Sequence, residues 1–151
     1  MAQTVRFRLD PDAVAALHAL RGRLPRDLAA VDEPAVTVAA ATSVPPAARA
    51  ALDAELRLLV VPSIWLATLG TVAGRPDQLV LAAVVDAELL AVHAAVHDAL
   101  AGRVKGPVAA HLPGAWLPHC VLATERPAEA FAALHPVAPV RARVEGVEVS
   151  G

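Results

Sequence analysis

Cysteine is nearly missing from this sequence. Cys120 stands alone, so no internal disulfide can form, a thiolate zinc site has no partners, and a buried small hydrophobe is the plain reading of that thiol. Tyrosine is absent and aromatic residues make up 3% of the chain, too few rings for an extended platform on which single-stranded nucleic acid would stack. Cationic charge is scarce too. Lys105 is the only lysine, the other twelve cations are arginines, and a formal net charge of −2 offers no general attraction to a nucleic-acid duplex. Hydrophobic residues are 56% of the 151 and mean hydropathy is +0.52, yet every apolar run is interrupted before the roughly 20 residues needed to span a bilayer. The start, MAQTVRFRLD, carries neither an apolar targeting core nor a cleavage pattern, so no membrane partner is expected and the expected compartment is the cytoplasm.

What is present reads as a single domain over residues 1–151, long enough to bury roughly 70% of its unfolded surface without disulfide or metal. Val5, Phe7 and Leu9 alternate with Arg6 and Arg8, the period of a half-buried strand. Asp10-Pro11 then caps a helix whose stripe is Val14, Leu17, Leu20, Arg21 and Leu24, and Pro25 ends it. Residues 35–38 read as a strand, and Pro45-Pro46 opens a second helix carrying Leu52, Leu56 and Leu59. Two apolar runs between Ser63 and Val85 flank Gly74-Arg75-Pro76-Asp77, which suits a hairpin. A third helix follows over residues 86–101, with Leu89, Val92, His93, Val96 and Leu100 on its apolar stripe. Residues 102–118 read as a loop, residues 119–123 as a strand, and Pro127 starts a fourth helix ending near His135. Val140, Ala142 and Val144 alternate with Arg141, Arg143 and Glu145 as one closing strand.

An internal echo runs through this order. Ala35-Val36-Thr37-Val38-Ala39 and the proline-started helix after it resemble His119-Cys120-Val121-Leu122-Ala123 and the helix from Pro127. Two internal repeats of strand, helix, motif strand, helix and strand would face each other across a groove.

The residues Trp116-Leu117-Pro118-His119-Cys120-Val121-Leu122-Ala123 resemble the second signature of the two-histidine (2H) phosphoesterases, the 2'-5' RNA ligase-like family, where proline precedes His-x-Thr/Ser-x on a strand. Pro34-Ala35-Val36-Thr37-Val38 resembles the first signature, and the order of elements around both agrees over nearly the whole chain. The resemblance implies an α+β fold of two pseudo-symmetric lobes, each an antiparallel or mixed sheet with outer helices, around a central groove. It implies one histidine and one hydroxyl from each repeat, as a cyclic phosphodiesterase or RNA ligase needs a base, an acid and donors for the phosphoryl oxygens. No cofactor and no metal are implied.

Carried over position by position, both motifs are degenerate. Ala35 stands where the first histidine belongs and Val121 where the second hydroxyl belongs, leaving Thr37 and His119 as the surviving half of the tetrad. Strand periodicity puts Ala35, Thr37, His119 and Val121 on the groove side and Val36, Val38, Cys120 and Leu122 toward the helices. Losing one acid or base typically costs on the order of 10²–10⁴ in rate, so whether this chain is an enzyme is open. The leading expectation is a protein that binds a small phosphorylated ligand, a nucleotide or an RNA end, with phosphodiesterase activity weak or lost. One rival keeps an active cyclic phosphodiesterase or RNA-end-processing enzyme that uses His119 with a substitute base. Another makes the groove, less polar for Ala35 and Val121, a protein-interaction surface.

The remaining candidates each carry two readings. His111 is either an exposed loop histidine or the substitute base for Ala35. Arg6, Arg8, Arg141 and Arg143 either line the groove and grip phosphate or decorate solvent-facing edge strands. Trp116 and Trp65 either stack a base or pack. His93 and His97, four apart on a helix, have no third ligand at motif spacing and read as helix-surface residues; His18 and His135 carry no signal.

Overall fold

The computed structural model describes residues 2–151. The chain runs β1 (Gln3–Leu9), α1 (Pro11–Arg21), β2 (Ala35–Ser43), α2 (Pro46–Arg57), β3 (Ile64–Val72), β4 (Arg75–Ala83) and α3 (Ala87–Leu100). It continues through β5 (Lys105–Pro107), a 3-10 turn (Ala109–His111), β6 (His119–Ala123), α4 (Pro127–Leu134), β7 (Val140–Ala142) and β8 (Val144–Ser150). The strands form two four-stranded antiparallel sheets, in the orders β5-β2-β1-β8 and β6-β4-β3-β7. The expected α+β class with two sheets and outer helices is the observed one.

Local chemistry explains the element ends. On β1, Val5, Phe7 and Leu9 are buried, and the turn into α1 is set by Asp10, whose carboxylate accepts from Ala13 N at 3.3 Å. The same carboxylate accepts from Arg143 N at 2.7 Å, while Asp10 N donates to Arg143 O at 3.0 Å. Asp86 caps α3 in the same way, accepting from Leu89 N at 2.8 Å. The β3–β4 hairpin turns at Gly74, whose φ of 87° favours a residue without a Cβ.

Helices α1 and α4 cover the second sheet, α1 lying on β6 and β7 and α4 on β3 and β4. On the first sheet α3 lies against β2, and α2 packs on α3. Val36, Val38, Leu52, Leu66, Leu81, Leu122 and Leu134 belong to one continuous buried cluster that runs through both halves. Among the described residues, no helix is long and apolar enough to cross a membrane.

Two sequence expectations are corrected. The closing alternation is not one strand: β7 pairs with β3 in the second sheet and β8 with β1 in the first, the chain changing sheets at Arg143. Tight backbone pairing with Asp10 makes that change possible, and local alternation carries no trace of it because both pieces share the same period. The segment read as a loop also contains β5, which pairs with Ala41 and Ser43 of β2.

Because Asp10 serves a helix cap and the sheet crossing together, Asp10→Ala is expected to lower stability by about 2 kcal/mol, or roughly 4–8 °C in midpoint. Thermal melts followed by far-UV circular dichroism check this, with Asp10→Asn expected to keep at least half of the loss from appearing.

Candidate functional site

On β2, Val36 and Val38 are fully buried while Ala35 and Thr37 are half-buried on the opposite side. On β6, Cys120 and Leu122 are fully buried while His119 and Val121 are half-buried. The two motif strands meet along a seam: the Cys120 thiol lies beside the backbone N–H of Ala35, and Trp116 Nε1 donates to Thr37 O at 2.9 Å. Burial pushes the Cys120 thiol up to about 11, so it is not a nucleophile at neutral pH. Across β1, register sets Arg8 opposite Ala35 and Arg6 opposite Thr37. Across β4, it sets Ala82 opposite His119 and Val80, which is buried, opposite Val121.

His119 is oriented for one job. Its Nδ1 lies 2.6 Å from Leu117 O, and a carbonyl only accepts, so Nδ1 carries a hydrogen and, in the neutral ring, Nε2 has the lone pair. Nε2 can take or return one proton, and the Ala35 methyl supplies no second group. Val121, beside Val80, offers no hydroxyl to a phosphoryl oxygen.

Behind the seam Trp116, His93 and His97 form a cluster. Trp116 is buried, and its ring stacks on His93 at 3.9 Å between centroids with planes 1° apart, so it holds the interior and presents no face to a ligand. His93 and His97 are not helix-surface residues: both Nε2 atoms donate to Val38 O, at 3.0 and 2.9 Å, and His93 is fully buried. This stretch of β2 has no strand beside it on that side, and the side chains of Trp116, His93 and His97 cap the open carbonyls. Burial first, and then the charge of His97, holds His93 down at about 4, against a weaker upward pull from the carbonyls of Val38 and His111. His111, half-buried, is also held below its ordinary value, by burial, then by the charges of His119 and His97. Among the described residues no three histidine, cysteine or acidic side chains are disposed to hold a metal ion.

The four strand arginines do not converge. Arg6 donates to Glu148 Oε1 at 2.7 Å and to Asp32 Oδ2 at 3.4 Å. Arg8 is exposed, lies across Gly146, and makes only a long contact of 3.5 Å to Glu145 O. Arg141 belongs to the other sheet, 5.5 Å over the Trp65 ring, and Arg143 sits at the sheet crossing with its side chain exposed. Trp65, 46% exposed, is therefore the tryptophan with an open face. Arg21 is a charge in the apolar row of α1, the sequence signal for a functional or partnered residue there. It is buried and donates to Val121 O at 2.8 Å and to Asp32 Oδ1 at 3.2 Å.

An apolar cavity of about 240 Å³ lies between β2, α3 and the chain after it, bordered by Ala39, Ala40, Ala41, His97, Leu100 and Leu112. A depression of about 630 Å³ runs past Arg8, His18, Glu33 and Glu145. Neither is lined by His119, Ala35 or Thr37, which sit on the surface of the seam.

No family model and no curated protein matches the chain. Among solved structures, the PDE domain of MHV ns2 superposes with a TM-score of 0.67 at 15% identity, covering 98% of this chain and 96% of that one. The chain shares the fold of that PDE domain. At this identity the likeness concerns architecture, and fold alone does not carry chemistry.

His93 makes the fold sensitive to acid. The unfolded chain protonates histidine near pH 6.5, the buried ring only near 4, so this contribution is complete above about pH 6.5 and is lost as pH falls toward 4. The loss is expected to reach about 3 kcal/mol. Urea unfolding at pH 7 and pH 4.5 measures it; His93→Gln should be less stable at pH 7 and show a flatter pH dependence.

Proposed function

We propose that this protein binds a phosphorylated or nucleotide-like ligand on the seam between its two sheets, and that phosphodiester hydrolysis there is weak or lost. The observation that carries this reading is an oriented His119 on one motif strand, with Ala35 at the matching position of the other. Turnover of a cyclic phosphate needs one group to activate the attacking oxygen and another to protonate the leaving oxygen, and His119 can serve as only one of them. Binding needs less. The Thr37 hydroxyl and the exposed Arg8 guanidinium lie on adjacent strands of one face, one supplying a donor to a phosphoryl oxygen and the other a planar fork. The exposed Trp65 ring, held by Arg141, supplies an apolar face to a base or to an RNA end.

A second reading has one observation in its favour. The charge of His119 acts on His111, which burial keeps neutral near pH 7, the state a substitute base requires. In that reading the protein is a cyclic phosphodiesterase or RNA-end-processing enzyme that uses His119 and His111.

Wild type is expected to hydrolyse 2',3'-cyclic nucleotides close to background. Ala35→His combined with Val121→Thr should raise the rate at least about 10²-fold, and adding His119→Ala should return it to background. A folded double variant with no gain would sink the inherited-geometry argument, and wild-type turnover abolished by His111→Ala would favour the second reading. Arg8→Ala is expected to weaken binding of a nucleoside monophosphate about tenfold, measured by calorimetry.

A further inference from the structure

We propose that Arg6 and Arg21 form a phosphate-binding site where the two sheets meet, and that the Asp32 carboxylate occupies it until a phosphate group displaces it. The proposal deepens the reading of the seam as a phosphate-ligand site and rests on it.

Asp32, on the chain leading into β2, stands between two guanidinium groups from different elements. Its Oδ2 accepts from Arg6 Nη1 at 3.4 Å and its Oδ1 from Arg21 Nη2 at 3.2 Å. The two arginines are held independently of that carboxylate. Arg6 is anchored by Glu148 at 2.7 Å, and Arg21 by Val121 O at 2.8 Å and by the Asp32 backbone carbonyl. The side chains of Arg6 and Arg21 are 18% and 6% exposed, whereas that of Asp32 is 60% exposed. The carboxylate is the mobile member of the trio, since a pair with one partner in solvent is worth roughly 0–1 kcal/mol, and it can swing into water without uncovering the core.

The donors also outnumber the acceptors that Asp32 brings. Among the described residues, Arg6 Nε and Arg21 Nε are buried without a nitrogen or oxygen partner, and Arg21 lies beside the Cys120 thiol. Guanidinium groups held this far from water favour a ligand that brings several oxygens. Phosphate brings its oxygens tetrahedrally and suits two converging forks. With Asp32 in place the cluster of Arg6, Arg21, Asp32 and Glu148 is formally neutral; once Asp32 leaves, it carries one net positive charge that a phosphate group meets. The site adjoins the motif residues directly, because Arg6 lies opposite Thr37 in register and Arg21 holds the carbonyl of Val121.

The test is titration of inorganic phosphate at low ionic strength and pH 8, by calorimetry, into wild type, Asp32→Asn, Arg6→Gln and Arg21→Lys. A nucleoside 5'-monophosphate is run in parallel, with Arg8→Ala added. Asp32→Asn removes the competing charge and keeps the backbone carbonyl that Arg21 uses, so phosphate should bind about fivefold to tenfold more tightly than to wild type. Arg6→Gln should weaken binding at least about tenfold, and Arg21→Lys, checked for folding by its thermal melt, should do the same by losing the fork while keeping the charge. Because Arg6 is on a partly open face, its variant tests the idea even if Arg21→Lys unfolds. Equal phosphate affinity in wild type, Asp32→Asn and Arg6→Gln overturns the proposal. If the nucleotide then still binds and Arg8→Ala weakens it, the broader reading of the seam survives without this site. If neither probe binds any variant, both fail.

Discussion

The carbonyls of Thr37 and Val38 lie on a stretch of β2 that β5 does not reach, and a polar group shut away from water without a partner costs on the order of 1–3 kcal/mol. Three side chains meet that demand: Trp116 for the first carbonyl, His93 and His97 together for the second. Much else follows from this. Trp116 comes three residues before His119, so tying its indole to β2 brings the start of β6 to the motif end of β2. The Trp116–His93 stack brings α3 to the same place. His119 is thus positioned by an obligation to satisfy backbone hydrogen bonds, an obligation independent of whether any chemistry takes place there.

The two halves brought together are unlike. The first sheet contributes Thr37, Arg6, Arg8 and Glu148, a polar face with donors suited to oxygen. The second contributes Val121, Val80 and Ala82 around His119, an apolar face with one imidazole. One half carries several hydrogen-bond donors and the other a single polar ring. A symmetric phosphodiesterase site would need the same equipment twice, and Ala35 and Val121 each remove one part of it. Arg21 joins the halves: it comes from α1, which covers the second sheet, and reaches Asp32, which leads into the first. A charged side chain buried at such a junction is stabilising only with its partners in place, which couples the electrostatics of the seam to the stability of the fold.

Much of the architecture was legible in the sequence, because it is written in short-range patterns. The alternation of Val5, Phe7 and Leu9 with arginines, the Asp10-Pro11 cap, and the opposed faces of His119 and Cys120 each depend on residues a few positions apart. Hydrophobic period and capping chemistry report those relations directly. What lay opposite each face was not legible. Trp116 and Trp65 look alike as sequence, yet one is buried under a histidine and the other lies open beneath Arg141. His93 stands on the apolar stripe of its helix, but the group that both it and His97 meet, the carbonyl of Val38, lies more than fifty residues away. Val140 to Glu145 alternates without a break across the sheet change at Arg143, and the choice between two sheets was made by the backbone pairing of Asp10 with Arg143. Periodicity determines which side of a strand or helix a residue occupies; the tertiary structure decides what that side meets, because its partners come from parts of the chain that no local pattern connects.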